Sequence, residues 1–303
     1  MIIINSITCI CYNSNCKYYK NILKSIPNNN EYYDAAIAYA GPTEIIDAYI
    51  THKVNANKKI GWVHFDISQH NINKKLYEKL YKKFDKIFAV SNEANKRLNE
   101  IMPSTIGKSE VLLNIISKDL INEMAEEEVE FDNEFEGIKI VTVGRLSQEK
   151  GQDLAIKALS KLKEDNYKVR WYCVGEGNSR SEYEGLIRKN KLEKDFILLG
   201  ATPNPYPYIK NSDIYVQTSR HEGYCLTLAE AKALRKPIIS TNFIGAYEQI
   251  EDSVNGFIVK QNEKIIYEKI KYLINNKVIC NELDCINLDT IDEVNTLLKY
   301  ISE

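Results

Sequence analysis

A chain of 303 residues exceeds one typical domain of about 100–150 residues, so two domains, each with its own core, are expected. Its 44% hydrophobic and 27% charged residues are those of an ordinary globular protein and argue against disorder. A net charge of -2 provides no global attraction to nucleic acid, and no run approaches the roughly 18 apolar residues of a membrane span, so the expected partner is a small molecule. The opening "MIIINSITCICY" lacks a basic start and a small-residue cleavage site, and reads as a first strand. From residue 35 short apolar runs alternate with longer amphipathic ones: "AAIAYA" (35–40), a helix near 43–55, "KIGWV" (59–63), a helix near 71–83, "KIFAV" (86–90), helix 92–101 and "EVLLN" (110–114). Strands apolar throughout, alternating with helices, imply an α/β fold with a parallel sheet covered on both faces.

The acidic stretch 118–137 breaks this rhythm and reads as a solvated helix or linker. The rhythm restarts with "IKIVTVG" (138–144), helix 150–164, "VRWYCVG" (169–175), helix 180–190, "DFILLG" (195–200), a short helix near 205–210, "DIYVQTS" (213–219), helix 224–234, "PIIST" (237–241), "GFIV" and a helix near 262–275. The expected domains are therefore 1–117, shortened, then the acidic linker 118–137, a doubly wound domain over 138–276, and a tail with a helix over 277–303. Ligands of such sheets bind beyond the carboxyl ends of the strands, and between two domains the cleft is the expected site.

Three signals fall at that edge. "VGRLSQEKG" follows a strand with Gly144, Arg145 and Lys150, cations able to meet a phosphate beside a helix N-terminus; the plainer reading is solvated loop charge. "VGEG" ends the next strand in Gly175 and Gly177, which permits close backbone approach but is also an ordinary turn. "SRHEGYCLTLAEA" places Glu222 in a loop and Glu230 about two turns into the following helix. Their eight-residue spacing does not force a shared metal or a two-carboxylate hydrolytic pair.

Seven cysteines are an odd number, and Cys173 and Cys225 lie in apolar runs where a reduced thiol behaves as a small hydrophobe, as in a reducing compartment. Cys9, Cys11 and Cys16 match no common zinc spacing, so no metal is expected.

In order and spacing, "VGRLSQEKGQDLAIKAL", "VGEG", "DIYVQTSRHEGYCLTLAEAKALRKPIIST" and "NGFIV" resemble the donor-binding half of glycosyltransferase family 4, the retaining nucleotide-sugar transferases. "YDAAIAYAGPTEIIDAYI", "KKIGWVHFD" and "FDKIFAVSNEANKRL" extend the likeness to members that build capsular and other surface polysaccharides. The resemblance implies the GT-B fold: two Rossmann-like, doubly wound domains facing a cleft, here with the N-terminal one shortened. It assigns Arg145 and Lys150 to the donor diphosphate and Glu230 to the ribose hydroxyls, and has Glu222, first acid of the family's E-x7-E motif, contact the transferred sugar or support its site. Gly144 belongs to the same phosphate loop; the backbone of Gly223, Tyr224, Cys225 and Leu226 would face sugar and phosphate, and Gly175 with Gly177 the nucleoside. His64 matches a histidine facing the reacting sugar, its alternative being a strand-end histidine bonded within its loop.

The implied reaction moves a hexose or N-acetylhexosamine from a nucleotide sugar, a UDP-sugar, to a glycan or lipid-linked acceptor in surface-polysaccharide assembly. No cofactor or metal is expected, since fixed cations and a helix N-terminus stabilise the leaving diphosphate. The expected location is cytoplasmic, at or near the inner face of the membrane, with no nucleic-acid partner. The alternative is a non-catalytic or partner-dependent nucleotide-sugar-binding relative, because the Gly-rich loop that opens the family's first domain is absent from "MIIINSITCICYNSNCKYYKNILKSIPNNNEYYD". A second departure is Arg235, at a position where the family commonly has glycine.

Overall fold

Runs rich in Ile, Val and aromatic residues form strands because such side chains suit a covered, pleated surface, and their lack of alternation marks both faces as buried. In the computed structural model, which describes residues 17–64, 67, 72–132, 134–276 and 291–302, these runs build two parallel sheets in two units. The first unit comprises the described residues of Met1–Val90, Ala94–Val111 and Ile301–Glu303; the second comprises those of Ser91–Glu93 and Leu112–Tyr300. The strand expected at the opening, Cys9, Cys11, Cys16 and most of the tail lie outside the described residues.

The first unit contains α1 (Lys17–Ser25), β1 (Tyr32–Gly41), α2 (Glu44–Lys53), β2 (Asn55–Val63), α3 (Lys74–Tyr81), β3 (Lys86–Ala89), most of α4 (Asn92–Ile101) and β4 (Ser109–Val111). Its four parallel strands follow chain order, β1-β2-β3-β4. Helix α3 starts where Asn73 accepts the Leu76 N–H at 3.2 Å. It buries Leu76, Tyr77, Leu80 and Tyr81 and leaves Lys74, Lys75 and Lys79 in solvent.

The second unit contains α5 (Lys118–Met124), β5 (Ile138–Val143), α6 (Gln152–Glu164), β6 (Val169–Val174), α7 (Arg180–Lys189), β7 (Phe196–Gly200), α8 (Tyr206–Lys210), β8 (Ile214–Gln217), α9 (Leu226–Ala233), β9 (Ile238–Thr241), α10 (Ile244–Tyr247), β10 (Phe257–Val259) and α11 (Glu263–Asn276). Helix α12 (Ile291–Ser302) follows. Strand order is β10-β9-β8-β5-β6-β7, all parallel, so the winding reverses between β5 and β8. Trp171 Nε1 donates to Thr142 Oγ1 at 3.0 Å, and that hydroxyl donates to the Val216 carbonyl at 2.6 Å. Buried bonds thus tie together β6, β5 and β8, the three strands whose loops carry the site.

The acidic stretch 118–137 is not a free tether. It begins with α5, Asn204 Nδ2 donates to the Met124 carbonyl at 2.8 Å and to Glu127 Oε2 at 2.7 Å, and Asp132 accepts from Arg170 and Tyr172. Pairing of individual acids, invisible in the composition, fastens the segment to the second unit. Helices α1 and α10, which the sequence pattern does not announce, are short.

Candidate functional site

Where the strand order reverses, the loops leaving β5 and β8 run to opposite faces of the sheet and open a crevice at its carboxyl edge. Gly144, Arg145 and Lys150 lie on the β5 loop; Glu222, Gly223, Tyr224 and Cys225 lie on the β8 loop, which leads into α9. The β6 loop closes against the β5 loop, because a Cβ on Gly175 would strike the Gly144 carbonyl and one on Gly177 the Leu146 carbonyl. Eleven of the twelve residues singled out by sequence therefore converge at one sheet edge of the second unit.

The crevice holds a partly buried ion pair: the Lys150 ammonium donates to Glu222 Oε1, with side-chain exposures of 18% and 11%. The same oxygen accepts from Ser219 Oγ at 2.7 Å. Arg145 is different, at 66% exposure with Nη2 3.7 Å from the Glu149 carboxylate, and is open to a ligand at little cost. Helix α9 begins at Leu226 rather than at 224, so Glu230 lies about one turn into it instead of two. The later start reflects Cys225, whose φ of 64° cannot belong to a right-handed helix. Glu230 is largely buried, accepts from Tyr206 OH at 3.3 Å, and has its pKa raised by burial, a rise the tyrosine bond opposes.

The side chain of the N-cap residue, Cys225, makes no capping hydrogen bond, and with the Leu228 N–H closed onto the Cys225 carbonyl at 3.1 Å the amides of Leu226 and Thr227 are the ones left to face an anion. The turn before it is braced from behind: Gln249 Nε2 donates to the carbonyls of Tyr224 and Cys225, at 3.3 Å for the latter, and a Cβ on Gly245 would strike the Gly223 carbonyl. Burial pushes the Cys225 thiol up to about 12, so it is a small hydrophobe and not a nucleophile. Leu226, by contrast, is 46% exposed at the helix start.

Sequence reasoning missed the polar ladder beneath this turn. Tyr215 OH donates to Gln217 Oε1 at 2.6 Å, Gln217 Nε2 donates to Ser219 Oγ at 2.7 Å, and Ser219 reaches Glu222. All three are buried on one face of β8 and its exit. A signal was present: polar residues at two-residue spacing in an otherwise apolar strand. Tyr206 was missed because no spacing relates it to Glu230.

His64 belongs to the first unit, directly after β2. Its backbone N–H donates to the Gly41 carbonyl at 3.3 Å, and its ring lies parallel to Trp62 with centroids 6.1 Å apart and edge-on to Tyr39 at 4.6 Å. Burial lowers its pKa against a backbone bond at Tyr39, so the ring is neutral at neutral pH. Its buried Nε2 has no hydrogen-bond partner among the described residues. Among the described residues no group of three or more His, Cys, Asp or Glu could hold a metal ion, and no helix is long and apolar enough to cross a membrane.

Known proteins share this fold. The fold matches Anabaena HepE, solved in complex with UDP, at a TM-score of 0.74 and 17% identity over 94% of this chain and 81% of that one. A Staphylococcus aureus TarM variant, solved with fondaparinux, alpha-GlcNAc-glycerol and UDP, gives 0.72 and 22% over 89% and 55%. Both neighbours place the chain in the two-domain GT-B fold. In sequence, the Campylobacter jejuni N-acetylgalactosamine-N,N'-diacetylbacillosaminyl-diphospho-undecaprenol 4-alpha-N-acetylgalactosaminyltransferase is 30% identical over 205 residues, 67% of this chain and 54% of that protein. The chain spans about half the length of such relatives. The profile of the family described as glycosyl transferases group 1 matches residues 125–285, more than half of the chain, and the protein belongs to that family.

Proposed function

We propose that the chain is a retaining glycosyltransferase that moves a hexose or N-acetylhexosamine from a UDP-sugar to a glycan or lipid-linked acceptor. The observation that carries this reading is the set of groups at the β5/β8 reversal: a partly buried ammonium, the start of α9, and a partly buried carboxylate one turn further on. Spaced in this order they suit, respectively, a diphosphate, its flanking oxygens and a ribose diol. UDP in the HepE and TarM structures supports the uridine donor, and the undecaprenol diphosphate in the Campylobacter protein's name supports a lipid-linked acceptor.

On this reading Lys150, Arg145 and the α9 amides stabilise negative charge as it builds on the departing diphosphate, which makes a metal unnecessary. Glu230 accepts from the ribose hydroxyls, which would satisfy a carboxylate that now has one long tyrosine bond. Glu222, held by Lys150 and Ser219, presents its remaining oxygen to the transferred sugar. His64, neutral and with Nε2 unengaged among the described residues, is a hydrogen-bonding group for the reacting sugar. The acceptor hydroxyl bonds to the anomeric carbon on the face from which the diphosphate leaves, the bond from that carbon to the phosphate oxygen breaks, and the hydroxyl proton passes to an oxygen of the departing diphosphate, so no glutamate serves as nucleophile.

Charge supports contact with an anionic membrane surface. Residues 1–111 carry 15 Lys and Arg against 10 Asp and Glu, whereas residues 112–303 carry 25 against 32. The exposed face of α3 and the residues after it present Lys74, Lys75, Lys79 and Lys82, none paired with a carboxylate among the described residues. Such rows gain about 1 kcal/mol per lysine at an anionic leaflet.

Calorimetry with UDP and UDP-sugars, followed by transfer to lipid-linked acceptors, tests the proposal. Turnover supports it; UDP binding without turnover on any acceptor would favour the partner-dependent relative instead.

A further inference from the structure

We infer that Arg220 is a positioning residue for Lys150: it fixes the loop that aims the ammonium at the donor diphosphate and does not itself touch that donor. The inference rests on the diphosphate reading above.

Three successive carbonyls of the β5 loop are held by the exit of β8. Arg220 Nη1 donates to the Gln148 carbonyl at 2.6 Å, the Arg220 backbone N–H to the Glu149 carbonyl at 2.7 Å, and Thr218 Oγ1 to the Lys150 carbonyl at 3.0 Å. Gly151, with φ of 68°, lets the loop turn into α6, and a Cβ there would strike the Thr218 carbonyl. The two loops are in contact along their backbones, so displacement of one displaces the other.

Both terminal nitrogens of the guanidinium are engaged in this task. Nη1 and Nη2 meet Asp153 Oδ1 and Oδ2 at 2.8 and 2.9 Å, a two-point fork on the first turn of α6. Burial drives the Asp153 pKa up, but the Arg220 hydrogen bonds and charge outweigh it and hold the carboxyl below its ordinary range, so the pair stays ionised. Gln261 Nε2 donates to the Arg220 carbonyl at 2.9 Å and braces the same residue from the far side. Arg220 sits two residues before Glu222 in a run of charged and polar side chains, where a phosphate contact would be the first guess; the three hydrogen bonds its Nη1 and Nη2 donate go instead to the β5 loop and α6.

The segment 217–222 thereby holds Lys150 at both ends. Thr218 and Arg220 fix its backbone, while Glu222, itself oriented by Gln217 and Ser219, receives its ammonium. A side chain with four rotatable bonds reaches a defined point only when both ends are constrained, and preorganised charge is what a leaving diphosphate requires.

The test compares UDP with uridine by calorimetry at fixed ionic strength, because uridine lacks the group that Lys150 reads. Arg220→Lys keeps the charge but cannot hold both the Asp153 fork and the Gln148 carbonyl. The expected result is a loss of about tenfold in UDP affinity with uridine affinity and melting temperature unchanged. The double variant with Lys150→Ala should bind UDP no more weakly than Lys150→Ala alone, since Arg220 acts through Lys150. Equal losses for UDP and uridine, unchanged UDP affinity, or additive losses in the double variant would each overturn the inference. Should Arg220→Lys unfold, Asp153→Asn releases the fork alone and must show the same selective loss. A wild-type protein that binds UDP no more tightly than uridine overturns the diphosphate reading itself, an outcome separate from any variant's behaviour.

Discussion

Lys150 and Glu222 satisfy each other in a pocket with little access to water, which gives the ammonium one geometry and the carboxylate a defined role. Lys150→Met should lower transfer roughly 100-fold or more, the scale for losing one preorganised group at developing charge, while far-UV melting shifts by far less than activity. Equal loss of melting temperature and rate would make the residue structural. Glu230 combines stability and function with opposite signs. Its pKa is raised above the ordinary 4.5 by burial, so the unfolded state loses its proton first as pH rises, and the residue costs stability at neutral pH. Ribose hydroxyls need the ionised form, so UDP affinity should fall as pH drops through that raised value, earlier than for an ordinary carboxyl. Glu230→Gln should flatten this profile, weaken UDP binding by about 1–3 kcal/mol, and raise the melting temperature at pH 7. Titration calorimetry across pH with parallel melting curves checks both signs.

At the scale of elements, two helices carry testable charge and strain. Helix α9 ends with Leu234 as cap and Arg235 at φ of 53°, where the Lys236 N–H closes back on the Ala231 carbonyl. A left-handed position costs an ordinary residue about 1 kcal/mol and costs glycine nothing, so Arg235→Gly should stabilise the fold by up to that amount with UDP affinity unchanged. Chemical denaturation measures the difference. For α3, replacing Lys74, Lys75, Lys79 and Lys82 together with Gln should abolish co-sedimentation with anionic vesicles at low salt. Neutral vesicles should not retain the wild type, and added salt should release it from anionic ones. Binding to anionic vesicles that survives these substitutions would remove α3 from the account.

At the scale of the whole molecule, the groups proposed for the donor lie in the second unit and His64 lies in the first. His64→Ala should therefore leave UDP affinity within about twofold of wild type while transfer falls by roughly 100-fold, a split between binding and kcat that equilibrium and steady-state measurements resolve. Loss of UDP binding in this variant would contradict the assignment.

Periodicity and strand-end glycines, read along the chain, were enough to place β5, β6 and β8, the loops bearing Arg145, Lys150, Gly175, Gly177 and Glu222, and the helix bearing Glu230, because these are local properties of a chain that must cover a parallel sheet. The family likewise follows from motifs whose spacing is local. What only the tertiary structure decided are relations between residues far apart in the chain: that Lys150 meets Glu222, that Arg220 holds the carbonyls of residues 148 and 149, that Tyr206 bonds Glu230, and that an acidic stretch packs instead of tethering. Hydrogen bonds between residues 24 to 80 positions apart leave no period in a sequence, since which strand lies beside which is set by the winding of the sheet.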